Sequence, residues 1–219
     1  MHVLKTNFNG NPHLGLYGFA TDKYCLIGKG VGGDILENIK AVLKVKVHEI
    51  TINNSKLVGA YSCGNDDLIL VPEIIKESEE RELKKIGIPY KKIKSKFCAL
   101  GNNIVIKGNT ALINPEFEKE IFEELKMFKL KKIHIKEHNA IGSCMVLNKN
   151  GGLINLDADE KEIKEIEKEL NLKIEAGSVN KGNRYVRSGI IVNSKGYIIG
   201  GLTTGVETMI IDTALGFLK

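Results

Sequence analysis

The sequence predicts a closed α+β ring of five β-β-α-β units, and three observations predict it. First, five glycines pace the chain: Gly15, Gly59, Gly101, Gly142 and Gly189, at steps of 44, 42, 41 and 47 residues. A period in that range marks repeated supersecondary units. Second, the count closes. The 30 residues after Gly189 and the 15 that reach Gly15 make one further step. An open solenoid carries a capping repeat at each end, whereas here the fifth unit is divided between the two ends. Third, a short apolar run follows each glycine: Leu26-Ile27, Leu70-Val71, Leu112-Ile113, Leu153-Ile154 and Ile198-Ile199. The expected organisation is one domain, with units at about 15–58, 59–100, 101–141, 142–188 and 189–219 plus 1–14.

Each element of the unit has its own signal. Asn65-Asp66, Gly108-Asn109, Asn150-Gly151-Gly152 and Ser194-Lys195-Gly196 stand between apolar runs. Asn and Gly tolerate positive φ, so these are hairpin turns joining the first two strands. A helix follows. Asp34 and Glu37 have capping-box spacing ahead of Ile35, Ile39 and Val42. Residues 73–86 are polar, with Ile74, Leu83 and Ile86 on the inner side. Residues 116–127 place Phe117, Ile121 and Leu125 on one stripe. Residues 159–170 do the same with Ile163, Ile166 and Leu170, and residues 205–215 with Val206, Met209 and Ile210. One apolar stripe on a charged helix covers a sheet and faces water. A third strand comes next, in KVKVHEI, IPYKKIK, FKLKKIHI and LNLKIEA. For the fifth unit, the N-terminal HVLKTNF supplies it. The helices form the outer ring.

Composition agrees with one globular body. The chain has 219 residues, 42% of them apolar, and no apolar run approaches the ~18 residues of a membrane span. No charged-then-apolar leader opens it. Cys25, Cys63, Cys98 and Cys144 form no CxxC pair, so no structural zinc site and no metal or other cofactor is expected. Isolated cysteines in such a chain are reduced and buried, in the cytosol. The net charge is +5. Glutamates fill the helix bodies, and lysines gather at helix ends and on the following strands, as in Lys84, Lys85, Lys91 and Lys92. The helix dipole accounts for that order; a basic ring face meeting a polyanion is the functional alternative. High Lys, Glu and Ile with three arginines suits a heat-adapted source.

Catalytic motifs are thin. Gly28-Lys29-Gly30-Val31-Gly32-Gly33 is neither GxxxxGK[ST] nor a clean GxGxxG, and it fills a strand-to-helix joint. His134 and His138 stand four apart, but KIHIKEH alternates like a strand, so they read as solvent-facing strand residues. No base is paired with a thiol in the pattern. Small polar residues, in contrast, recur: Ser62-Cys63-Gly64-Asn65, Asn102-Asn103, Ser143-Cys144 and Gly177-Ser178-Val179-Asn180-Lys181-Gly182-Asn183. They serve tight turns in a crowded ring, or they gather on one rim as a polar binding surface.

The strings SCGNDDLILVP, ALGNN followed by ALINPE, IGSCMVLNKNGGLI and AGSVNKGNRYVRSGIIVN resemble the translation initiation factor six family, in order and over the whole chain. The resemblance implies the pentein fold, a five-fold pseudosymmetric ring. It implies no enzyme but a factor that binds the large ribosomal subunit near the sarcin–ricin loop, contacts ribosomal proteins and rRNA, and sterically prevents association with the small subunit. A role in large-subunit maturation follows, as a monomer in the cytoplasm. The chain stops at Leu218-Lys219 without the C-terminal extension of eukaryotic members, so it looks like the archaeal form. By motif match, Asn65 and Asn102 fall where the family has sensitive surface residues. Ser143 and Cys144 lie at the corresponding place one repeat on, where the family often has an aromatic residue at the Cys144 position. Together the four make the expected ribosome-binding rim, with Asn65 and Asn102 on one face. Pentein rings also include guanidine-modifying hydrolases. Those use a late cysteine with a histidine, and here no cysteine follows Cys144 and no histidine follows His138.

Overall fold

The computed structural model describes residues 2–218. Strand β1 (Val3–Thr6) leads the chain but belongs to the last sheet. Four units then follow in order. The first is β2 (Gly18–Ala20), β3 (Tyr24–Gly28) and β4 (Lys46–Ile50). The second is β5 (Cys63–Gly64), β6 (Ile69–Pro72) and β7 (Tyr90–Ile93); the third is β8 (Ile104–Lys107), β9 (Thr110–Ile113) and β10 (Lys129–Lys132). The fourth is β11 (Met145–Leu147), β12 (Gly152–Asn155) and β13 (Ile174–Gly177). The fifth has only β14 (Ile190–Val192) and β15 (Tyr197–Gly200) of its own. Its third strand is β1, which pairs parallel to β15 with Val3 opposite Tyr197 and Thr6 opposite Gly200. The ring is thus sealed by the first and last segments.

All five sheets have three strands and one plan. The first strand is antiparallel to the second through a hairpin, and the third is parallel to the second through the helix. A hairpin suffices for an antiparallel neighbour, but a parallel one needs a crossover. The central strand lies between the other two and packs on both faces, as Ile27 does with the first helix and the fifth unit and Leu26 with the second unit. That is why β3, β6, β12 and β15 are buried at every position and read as unbroken apolar runs. The apolar core is five clusters, each spanning two neighbouring units. One joins Leu26, Ile50 and Val58 to Ile69, Val71 and Leu83; another joins Leu14, Ile27 and Ile39 to Ile191 and Ile198.

The hairpins share a side-chain device. Asn65 Oδ1 accepts from the Asp67 and Leu68 amides at 2.9 and 3.0 Å. Asn148 accepts from Asn150 and Gly151, and Asn193 from Lys195 and Gly196, in the same geometry. These are Asx turns. The amide nitrogens reach across to the next unit: Asn65 to the Gly108 carbonyl, Asn148 to that of Asn193, and Asn193 to that of Thr21.

The helices end differently from the sequence expectation. The first is Gly33–Leu43 with Gly32 at its cap and no side-chain cap. The Asp34/Glu37 capping box does not form. Asp34 lies inside the first turn, and Glu37 pairs with Lys40 at 2.6 Å. The second helix is Glu77–Ile86 rather than 73–86, and Ile75, not Ile74, is buried, because residues 73–76 form a non-helical joint. In the third unit only Ile121–Glu124 is helical, though Phe117, Ile121 and Leu125 are all buried. The fourth, Glu160–Leu170, agrees closely, with Ile166 and Leu170 buried. In the fifth, Gly205–Ala214, Val206 and Met209 are exposed, while Ile211, Ala214 and the following Leu215 are buried. Thr204 sets the cap and Glu207 takes the inward N3 position, which rotates the stripe.

Those N3 glutamates do more than cap. Glu79 accepts from its own cap amide at Lys76 and from the amides of Asn53 and Asn54 in the loop entering its unit. Glu162 likewise holds the amides of Asp159 and Lys136, and Glu207 those of Thr204, Lys181 and Gly182. All five of these loop residues have positive φ, from 47° at Lys136 to 88° at Gly182. The carboxylate therefore pins a strained loop to the next helix. Lysines on the third strands also reach the next unit: Lys129 to Glu169 and Lys131 to Glu165, each at 2.9 Å. Part of the expected basic face is thus ion-paired, in exposed pairs of small energy.

Candidate functional site

Before each first strand lies a single helical turn: Leu14–Leu16, Val58–Tyr61, Leu100–Asn103, Ile141–Cys144 and Val186–Gly189. These turns touch their neighbours in a closed circle around the axis. Glycine occupies the second place in four of them because the turns nearly collide. A Cβ on Gly59 would overlap the Gly15 carbonyl, one on Gly101 that of Gly59, and one on Gly142 that of Gly101. A Cβ on Gly15 would overlap the carbonyl of Arg187. The second place in the fifth turn is therefore Arg187, not the pacing Gly189, whose missing Cβ faces Val179 and Asn180 instead.

The inner strands run from these turns to the hairpins, so the ring has a turn end and a hairpin end. At the turn end, an opening of about 340 Å³ is lined by His13, Leu16, Asn102, Ser143, Asn183 and Tyr185, among others. None is a carboxylate, lysine or arginine. Ser188 Oγ ties them together, donating to the Tyr185 carbonyl at 2.8 Å, accepting from Asn183 Nδ2 at 3.1 Å and lying 3.2 Å from His13 Nδ1. Tyr185 is 45% exposed and meets His138 edge to face, with ring centres 5.8 Å apart. Asp157 closes the rim, 3.0 Å from both His138 Nε2 and Arg184 Nη1. The hydrogen bond from His138 and the charge of Arg184 hold its carboxyl below the usual aspartate value. Leu156 and Leu202, which follow outgoing central strands, stand exposed.

The four expected rim residues divide. Asn102 and Ser143 are together in the turn-end opening, half-buried. Cys144 is not on the rim. It is fully buried among Val105, Leu112 and Ile154, because the next residue of a helical turn points ~100° away from Ser143. Burial pushes its thiol up to about 12. Asn65 lies at the hairpin end, with Asp22, Asp66, Lys107 and Asn148 around a mouth of about 290 Å³. It belongs to the hairpin set of Asn148 and Asn193 rather than to the turn set of Asn102 and Ser143, so the two asparagines do not share a face. The histidine pair also separates. β10 ends at Lys132, and residues 135–138 make a tight turn through Ile135 and His138. His134 is exposed, while His138 is drawn to Asp157. Among the described residues no histidine, cysteine and carboxylate cluster is placed to hold a metal ion.

Along the axis runs a cavity of about 70 Å³, lined by the inner strands of all five units and by Arg187 and Cys63. No carboxylate or histidine lines it. Burial pushes the Cys63 thiol up to about 12, far from the thiolate a nucleophile needs. Sequence reasoning passed over His13, Tyr185 and Arg187. The last two lie in the quoted string NKGNRYVRSG, where attention went to the glycine.

Known proteins agree with this architecture. A sequence profile of the eIF-6 family matches residues 3–214. Translation initiation factor 6 of Saccharolobus islandicus is 36% identical over 99% of this chain and all of its own length. That of Thermococcus onnurineus is 35% identical over the full length of both. Among solved structures, a dimethylarginine dimethylaminohydrolase adduct with S-methyl-L-thiocitrulline superposes with a TM-score of 0.55 at 15% identity, covering 75% of this chain and 68% of that one. The N-terminal domain of an arginine dihydrolase from cyanobacteria gives 0.53 at 12%, covering 81% and 73%. At such identity these enzymes share the pentein ring and nothing finer. The full-length sequence match is of another order, and by it the chain, to which these archaeal translation initiation factors are similar over their whole length, belongs to the eIF-6 family.

Proposed function

We propose that this protein binds the large ribosomal subunit through the turn end of the ring and keeps the small subunit from joining prematurely, with a part in large-subunit maturation. The observation that carries the choice of face is the opening formed by Asn102, Ser143, Asn183 and Tyr185. It offers amide, hydroxyl and aromatic groups without a lysine, arginine or carboxylate, the composition of a recognition surface core rather than a solvated face. The factor acts by occupancy and makes or breaks no bond. The channel chemistry supports this reading, since the guanidine-modifying enzymes that share the ring are its rival and Cys63 has neither a lowered pKa nor a base beside it. It works in the cytoplasm as a monomer, and its partners are the ribosomal proteins and rRNA near the sarcin–ricin loop.

Gradient co-sedimentation with purified large subunits tests the binding. A joining assay with added small subunits tests the consequence. Co-migration with large subunits and a loss of joined particles are expected. Sedimentation at the top of the gradient at micromolar protein and low salt overturns the proposal.

A further inference from the structure

The side chain of Arg187 enters the axis of the ring at the one turn position where the other four units have glycine. Its Nη2 donates to the carbonyls of Gly59 and Ser62, at 3.2 and 3.4 Å, on the opposite side of the circle. Its Nε is closed off from solvent and finds no acceptor among the described residues. Arg187 lines the axial cavity, whose walls are otherwise glycine, alanine, cysteine, methionine and branched or aromatic apolar residues. Arg187 makes no ion pair among the described residues. Burial lowers its pKa, yet a guanidinium does not deprotonate in a protein. A full positive charge is therefore held against two backbone carbonyls with no carboxylate beside it, and a charge withdrawn from water costs several kcal/mol unless it is paired or solvated.

We propose that the axial cavity binds one small inorganic anion against the guanidinium of Arg187. The cavity has room: about 70 Å³ compares with the ~10–15 Å³ that one water needs on the same measure. It also has an entrance. Ala20, Gly64, Ile106, Leu147 and Val192 line both the cavity and the wider hairpin-end mouth, so the cavity adjoins that mouth. At that mouth stand Lys107, which is half-buried, Lys149 and three aspartates: Asp22 is engaged by Ser194 and Lys149, Asp67 by Lys23, and Asp66 makes no ion pair among the described residues. A compact monatomic or tetrahedral anion fits this setting. A carboxylate on a larger molecule does not pass five converging strands.

The inference is independent of ribosome binding and is tested without it. Wild-type crystals grown or soaked in bromide should show an anomalous peak in the channel, in contact with the Arg187 guanidinium. In solution, bromide should raise the melting temperature above a gluconate control of equal ionic strength. The effect should saturate, as site binding does and screening does not. Arg187→Gln should abolish the saturable rise. If that variant does not fold, the wild-type diffraction experiment stands alone. Water density with no anomalous signal at Arg187, or bromide confined to surface lysines, overturns the proposal. So does a thermal response identical in bromide and gluconate.

Discussion

Asn65 and Asn102 illustrate what residue type alone conceals. Both are asparagines just past a pacing glycine, but every polar atom of the Asn65 side chain is engaged in its own turn and in the bond to Gly108. Asn65→Ala should therefore cost about 1–3 kcal/mol, roughly 2–12 °C in melting temperature for a chain of this size. Asn102→Ser should leave the melting temperature in place and weaken large-subunit binding about five- to a hundred-fold. Measuring both properties on both variants checks the assignment; equal loss of affinity with unchanged stability in both would restore a shared surface. A second pair contrasts buried amides. Asn114 donates to Asn103 Oδ1 at 2.7 Å and accepts from the Glu116 amide at 2.8 Å. Asn155, at the equivalent place one unit on, has no protein partner for either amide atom. The position corresponding to Asn103 there is Cys144, too weak a hydrogen-bonding group to replace it. Asn114→Leu should destabilise by about 1–3 kcal/mol, while Asn155→Leu should be neutral or stabilising. Thermal melts of the two decide it. The rim residues were legible as small and polar, but not their direction. A one-turn helix separates neighbours by a third of a circle, so Ser143 faces out and Cys144 in.

At the scale of elements, the N3 glutamates make a prediction about acid. Burial pushes the Glu207 carboxyl up, but the Thr204 and Gly182 amides and the Ser178 and Thr204 hydroxyls outweigh it and hold it at about 2, below its ordinary 4.5. A folded-state value below the unfolded one gives stability that is full above about 4.5 and fades as the pH falls towards 2. The contribution is on the order of 3 kcal/mol. Glu207→Gln should lower the melting temperature at neutral pH and flatten its dependence between pH 5 and pH 2. A variant with the wild-type acid profile would remove this carboxylate from the account. Strands and hairpins were legible because apolar runs and Asx residues are local signals. The inner turns were not: three or four residues, with glycine in second place in four of the five, fall below any helical periodicity. The face of the fourth helix was legible from its stripe, with Ile166 and Leu170 buried, whereas the one capping box expected, Asp34 with Glu37, does not form. The fifth was misread at Val206 and Met209, where the apolar spacing alone does not say which stripe turns inward.

For the whole molecule, the period and its closure were readable, and so was the one slip in them. The apolar run follows the pacing glycine by 11 residues in the first four units but by 9 in the fifth. Counting back 11 from Ile198 arrives at Arg187, the residue that the structure places in the circle. Closure itself is testable. Deleting residues 1–8 removes β1 and leaves β15 with a free edge. The truncated chain should melt lower or aggregate; a soluble truncation with unchanged melting temperature would mean that β1 contributes nothing to the ring.

That same pairing sets an order of events during synthesis. β1 leaves the ribosome about 190 residues before β15, its only partner in the sheet. At ~5–20 residues per second the interval is roughly 10–40 s. Units one to four can stack as they emerge, each against the one before. The first strand made must wait, unpaired, until the last has been delivered. A factor built this way has no finished ring while its own translation is in progress, and the surface around its axis is complete only once the chain is almost fully made.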